Sequence, residues 1–165
     1  LREVYPQTRE QRCWVHKTAN VLNQLPKKLH PMAKKMLQEI YLSPDKAQAE
    51  RGIERFGNVF EDKYPKAVKS LTKDAEELLT FYDFPAAHFQ HIRTTNPIES
   101  SFSTIRLRTK KMRNCGNRKT TLAMLYKLSQ QVEKGWRKLR GFKEIPYVLE
   151  GMPYLDGSRM ENAVV

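Results

Sequence analysis

The octet Arg93-Thr94-Thr95-Asn96-Pro97-Ile98-Glu99-Ser100 decides how the second half of this chain is read. Asparagine is a favoured N-cap. Proline suits the first helical turn, where its missing N–H costs nothing, and an acid three residues after the cap reaches back toward it. A helix is therefore predicted from Asn96-Pro97 to about Met112, with Ile98, Phe102, Ile105 and Met112 facing inward. Glu99 then has two readings. It closes a capping box with Asn96 and complements the helix dipole, or it holds a divalent metal near phosphates. Ser103 and Arg106 share its helix face one and two turns on. The roles are compatible, and spacing alone leaves both open.

The charge around this helix is lopsided. Residues 1–92 carry 15 Lys and Arg against 12 Asp and Glu, a net of +3. Residues 93–140 carry 13 against 2, a net of +11, and residues 141–165 carry 2 against 4, a net of −2. Nearly all of the chain's +12 thus sits in one basic stripe. Such a stripe attracts a polyanion, nucleic acid being the common one, although a solvated basic helix face has the same composition. Arg93, Arg106, Arg108, Lys110, Lys111 and Arg113, with Arg118 and Lys119 beyond a turn at 114–117, are the candidate phosphate contacts. Arg137, Lys138 and Arg140 beside Trp136 form a second cluster, where cations also suit a helix C-terminus.

The remaining composition narrows the class. With 39% hydrophobic and 29% charged residues, the chain has the make-up of a folded globular protein. No apolar run approaches the ~18 residues of a membrane span. Two cysteines, Cys13 and Cys115, do not make a secreted disulfide framework, so a reducing cytoplasm is expected. The opening Leu1-Arg2-Glu3 has no initiator Met and no signal-peptide pattern, and reads as a fragment.

Upstream, the pattern is mostly helical. Residues 11–16, with Cys13, Trp14 and Val15, read as a strand or strand end. A first helix is expected over about 17–25, ending near Pro26. A second begins at Pro31, with Met32, Met36, Leu37, Ile40 and Tyr41 inward. A third starts at Ser43-Pro44, with Ala49, Ile53, Phe56 and Phe60 on one face. A fourth starts at Tyr64-Pro65, with Val68, Leu71, Ala75, Leu78 and Leu79 inward. Phe81-Tyr82-Asp83-Phe84-Pro85 reads as an aromatic linker, its Phe84 biased to extended geometry by the proline. After the turn, a long helix over about 119–139 places Leu122, Leu125, Leu128, Val132, Trp136 and Leu139 inward. Residues 141–165 read as loop or tail.

Few other residues suggest chemistry. Cys13-Trp14-Val15-His16 is a C-x-x-H pair, half of a structural zinc site. His30, His88, His91 and Cys115 do not complete it with any zinc spacing. A buried Cys13 and a hydrogen-bonded or phosphate-handling His16 are the alternatives. No glycine-rich phosphate loop or nucleophile elbow is present.

Three runs together resemble the mutator-type insertion-sequence transposases of bacteria. They are 11–22 (QRCWVHKTANVL), Tyr64-Pro65-Lys66-Ala67-Val68, and the Arg93-to-Ser100 octet followed by Ile105-Arg106-Leu107-Arg108-Thr109-Lys110. The similarity spans about residues 1 to 140. It implies a mainly α chain that forms the C-terminal part of a ribonuclease-H-like α/β catalytic domain. Residues 1–16 would be its last strand region, 17–80 an all-helical insertion, 81–140 core helices, and 141–165 a tail. Most sheet strands would lie upstream. The resemblance makes Glu99 the glutamate of an Asp-Asp-Glu triad and a metal ligand, and makes Cys13 and His16 a signature pair. The two aspartates would lie before Leu1, so the chain alone is expected to be inactive. The implied cofactor is Mg²⁺ or Mn²⁺ in a two-metal site, the partner is DNA, and the intact protein is expected to be a homo-oligomer without membrane association. Two other readings remain: a non-catalytic basic helical DNA-binding module, and a helical scaffold held by a Cys/His metal.

Overall fold

Trp14 sets the first helix. The computed structural model describes residues 3–4, 8–112 and 116–160, with the backbone alone at 96–98 and 112. In it Trp14 is buried, and its indole Nε1 donates to Leu78 O at 2.8 Å. Helix α1 (Trp14–Leu22) turns Trp14, Lys17 and Val21 inward, at steps of three and four. Helix α2 (His30–Tyr41) has a proline in its first turn and buries Ala33, Leu37 and Ile40. Asp45 caps α3 (Lys46–Phe60) by accepting the Gln48 N–H at 2.7 Å, and α3 buries Ala49, Ile53, Phe56 and Phe60. Helix α4 (Pro65–Thr72) buries Ala67, Val68 and Leu71, and α5 (Ala75–Leu79) buries Leu78 and Leu79. A 3₁₀ turn, Thr80–Asp83, adds Phe81 and Tyr82, and a short α6 (Phe89–Ile92) lays Phe89 against both rings. These side chains form one core. Gly52 lets α2 and α3 approach, because a Cβ there would lie 2.8 Å from Ile40 Cγ1.

Residues 95–139 make a separate unit. Helices α7 (Asn96–Met112) and α8 (Arg118–Glu133) pack on each other. Among the described residues of this pair, Ile105 is the buried hydrophobic one.

From Arg140 the chain returns to the first unit. Gly141 O sits 2.8 Å from His88 Nε2. After α9 (Ile145–Leu149), strands β1 (Tyr154–Leu155) and β2 (Ser158–Arg159) pair antiparallel. Asp156 and Gly157 between them both have positive φ, the geometry of a tight I′ hairpin turn. That turn is docked. Gly157 N–H donates to Tyr82 O at 3.1 Å, Ala86 N–H donates to Gly157 O at 3.0 Å, and Asp156 Oδ1 accepts the Lys46 N–H at 2.8 Å. The buried Tyr154 donates its hydroxyl to Glu144 Oε2 at 2.9 Å.

The mainly helical character agrees with expectation, and several local readings are corrected. The strand expected over 11–16 is replaced by the first turn of α1, because only Trp14 of the apolar trio is buried and Val15 faces out. Helix α1 therefore begins and ends three residues earlier than expected. Met32 is exposed and Ala33 takes its inward place. Asp45, not Ser43, caps α3; the Ser43 hydroxyl donates to Glu39 O instead. The fourth helix breaks between Thr72 and Ala75. The aromatic run 81–85 is no linker, since Phe81 and Tyr82 are fully buried, although Phe84 is extended as its proline requires. The tail is folded. Helix α8 stops at Glu133, and Phe102, Leu122, Trp136 and Leu139, expected inward, are exposed. Two helices have one mutual seam, and these side chains lie outside it. The inward placements of Ile98 and Met112, the capping side chain of Asn96, and Arg113 and Cys115 lie outside the described residues.

Candidate nucleic-acid interface and the Glu99 helix

Thr95 takes the role expected of Asn96. Its carbonyl accepts the Glu99 N–H at 2.9 Å, which places Thr95 at the cap of α7. Its hydroxyl also donates to Glu99 Oε1 at 2.9 Å. Glu99 is thus oriented by the residue one turn before it, while its side chain stays exposed. By helical spacing Ser103, Arg106 and Lys110 follow Glu99 along one line of the surface.

The basic residues of the pair are exposed: Arg106, Arg108, Lys110 and Lys111 on α7, and Arg118 and Lys119 at the start of α8. Their positions are informative. Lys110 and Lys111 occupy the last turn of α7, where the helix dipole favours cations. Arg118 and Lys119 occupy the first turn of α8, where the dipole opposes them. Asn117 supplies the capping bond there, accepting the Thr120 N–H at 2.9 Å. Helix stability accounts for the first pair of cations and not for the second.

Arg93 differs from the other basic candidates. It lies in the first unit, where its Nη1 donates to Tyr41 O at 2.9 Å and its guanidinium covers the Tyr41 ring, 5.5 Å from its centre. Its own carbonyl accepts the Trp14 N–H at 2.9 Å. Those contacts make it a tie between α1, α2 and α6.

The signature pair also lies in the first unit. Cys13 is the residue before α1, and Cys13 and His16 line a cleft of about 400 Å³ with Gln11, Arg12, Lys17, Asn20, Ser70, Lys73 and Asp74. Lys17 organises this cleft. It is 4% exposed, its Nζ donates to Ser70 O at 2.7 Å, and it pairs with the Asp74 carboxylate. That bond, with lesser help from Arg12 and Lys73, holds the Asp74 carboxyl below its usual range against the opposing effect of burial. Sequence reasoning passed over Lys17 and Asp74. The available signal was a lysine on the inward stripe of α1, between Trp14 and Val21.

Among the described residues no three His, Cys, Asp or Glu side chains come together as a metal-binding group. A divalent cation bound by protein oxygens needs more than the single carboxylate of Glu99, so the described residues do not by themselves form a two-metal site. No helix of the described residues is long and apolar enough to cross a membrane.

Comparison with known proteins defines the class. Residues 1–139 match the family described as Transposase, Mutator family, and the chain belongs to that family. It is 48% identical over 157 residues to the transposase for insertion sequence element IST2 of Acidithiobacillus ferrooxidans, covering 95% of this chain and 53% of that protein. It is 46% identical over 162 residues to the transposase for insertion sequence element IS6120 of Mycolicibacterium smegmatis, covering 98% and 50%. The transposase for element ISRM5 of Rhizobium meliloti is 28% identical over 134 residues. The chain spans about half the length of the first two relatives.

Proposed function

We propose that this chain is the glutamate-bearing, DNA-holding part of a transposase that cleaves and transfers the strands of an insertion sequence in the bacterial cytoplasm. The observation that carries the reading is the α7–α8 pair, where one oriented, exposed carboxylate stands in a line with basic side chains. The basic residues hold phosphates and fix the position of the DNA backbone. Glu99 is one acid of an Asp-Asp-Glu set, and a ribonuclease-H-like core supplies the others from the part of the protein that the relatives have and this chain does not span. Mg²⁺ or Mn²⁺ is the cofactor of the whole protein, which acts as a homo-oligomer on the ends of its element and a target. Bound metal ions would supply activation of the attacking hydroxyl and stabilisation of the leaving oxygen.

The test is Glu99→Gln in a longer protein of this family that carries this chain. The amide keeps the side chain's size and its acceptor for the Thr95 hydroxyl, and removes the charge. DNA binding should persist and metal-dependent strand cleavage should fall by several orders of magnitude. Cleavage at near wild-type rate would refute the assignment of Glu99. The reading as a non-catalytic DNA-binding module rests on the same basic pair, and it would be favoured by a longer protein that binds element ends and never cuts them.

A further inference from the structure

Resting on this DNA-binding reading, we infer that Trp136 is a stacking platform for an unpaired base of the DNA that the α7–α8 unit holds. The two tryptophans of the chain contrast. Trp14 is 1% exposed and anchors the core of the first unit, whereas Trp136 is 62% exposed. Trp136 follows the end of α8 in a run, 134–139, whose residues are all exposed. Its ring is nonetheless placed. The backbone N–H donates to Glu133 O at 2.9 Å and the indole Nε1 donates to Ser101 Oγ at 3.1 Å. Ser101 is two residues beyond Glu99 on α7. Lys134, Arg137 and Lys138 flank the indole in sequence.

This combination selects a ligand. An anchored aromatic face open to solvent adds little to the packing of two helices. The cations beside it draw a phosphate chain, but a paired duplex offers them only its backbone, because its base faces are stacked on one another. A base face becomes available when a nucleotide is unpaired or turned out of the helix. Cutting and joining strands produces such nucleotides. Trp136 therefore confers a preference for DNA with unpaired bases over blunt duplex, and the surrounding lysines and arginines supply attraction common to both.

Fluorescence tests this directly in the 165-residue chain. The probes are a 20-base-pair blunt duplex, the same duplex with a 3′ overhang of five thymidines, and a 20-residue oligothymidine. Wild type should bind the overhang and single-strand probes with quenching of tryptophan emission, since Trp136 is the solvent-facing indole. Trp136→Ala should weaken those two by about tenfold, while Trp136→Phe retains most of the affinity. Blunt-duplex affinity and its salt dependence should be the same in all three proteins, and emission from Trp14 with the circular dichroism spectrum reports that each variant is folded. Undiminished binding of unpaired DNA by Trp136→Ala, or unquenched emission, would overturn the inference while leaving the duplex-binding reading intact. If neither kind of DNA binds, both fail. If Trp136→Ala changes the sedimentation of the free protein and not its DNA preference, the indole is a contact between copies and the inference is wrong.

Discussion

Replacing Lys17 with methionine tests the packing logic of the first unit. Met keeps the apolar stem and removes the charge from a side chain that is 4% exposed. Asp74 then loses its principal partner, and Ser70 O loses its donor at 2.7 Å. Breaking a buried ion pair on one side costs about 3–5 kcal/mol. The low end applies here, because the Asp74 side chain is 14% exposed and Arg12 Nη2 stands 3.9 Å from its other oxygen. A loss of ~3 kcal/mol in a chain of this size lowers Tm by about 6–12 °C. Asp74→Asn should cost a similar amount by leaving Lys17 buried without its counter-ion. The double variant should lose clearly less than the sum of the two. The pH dependence follows from the direction of the Asp74 shift. Its carboxyl is held below the ordinary value, chiefly by the Lys17 bond, so its stabilising contribution is fully present above the unfolded value, ~3.9, and is lost as pH falls through the folded one. The gap in Tm between wild type and Lys17→Met should stay constant near neutrality and close below about pH 4. Thermal melts of the four proteins between pH 3 and 8 measure all of this. A shift under 2 °C for Lys17→Met, or strict additivity in the double variant, would refute the reasoning.

Three further outcomes are expected. Duplex binding should be electrostatic: if about five phosphates are neutralised, log affinity falls against log salt with a slope of roughly −4 to −5, and a flat titration by anisotropy would count against the basic pair as a DNA surface. Gly157→Ala should lower stability by about 2 kcal/mol, because φ there is +84° and the new Cβ would lie 2.6 Å from Ala86 Cβ and 2.9 Å from its backbone; an unchanged melt would mean that the hairpin is not docked. The purified 165-residue chain should bind DNA and cut none with Mg²⁺ or Mn²⁺, and metal-dependent nicking that vanishes in Glu99→Ala would show that this chain itself supplies the remaining carboxylates.

Helical periodicity was readable wherever a helix has a solvent side and a core side. In α3, Ala49, Ile53, Phe56 and Phe60 repeat at helical intervals, and all four are buried. The same logic misplaced Met32, because a long apolar residue outweighs a small one in any pattern, whereas close packing of α2 admits the small Ala33. Two local features are not legible from composition without its neighbours. Phe81-Tyr82 looked like a break between helices, yet two large rings in a short 3₁₀ turn can fill a core as well as a helix face does. Asp156-Gly157 is a strong two-residue hairpin signal, and its flanking strands are only two residues long, so the alternation that normally accompanies the signal could not show.

The candidate site was legible for a different reason. A carboxylate among thirteen cations is visible as charge alone, and the Asn-Pro start predicted its helix to within a residue. What charge could not convey was which residue orients the acid, because Thr95 and Asn96 are both good caps and only the first carbonyl bonded to the Glu99 N–H decides between them. Nor could charge separate Arg93 from the other basic residues of the stripe. A guanidinium laid on Tyr41 from 52 residues away is a tertiary fact. The exposed aromatics depart from expectation in the opposite sense. Phe102 and Trp136 fall at positions that periodicity assigns to a core, but among the described residues of 95–139 Ile105 is the buried hydrophobic one. Apolar residues at core spacing therefore predict burial only when the unit has enough elements to bury them. Where it has two, residues at core spacing can stay exposed, as Phe102 and Leu122 do.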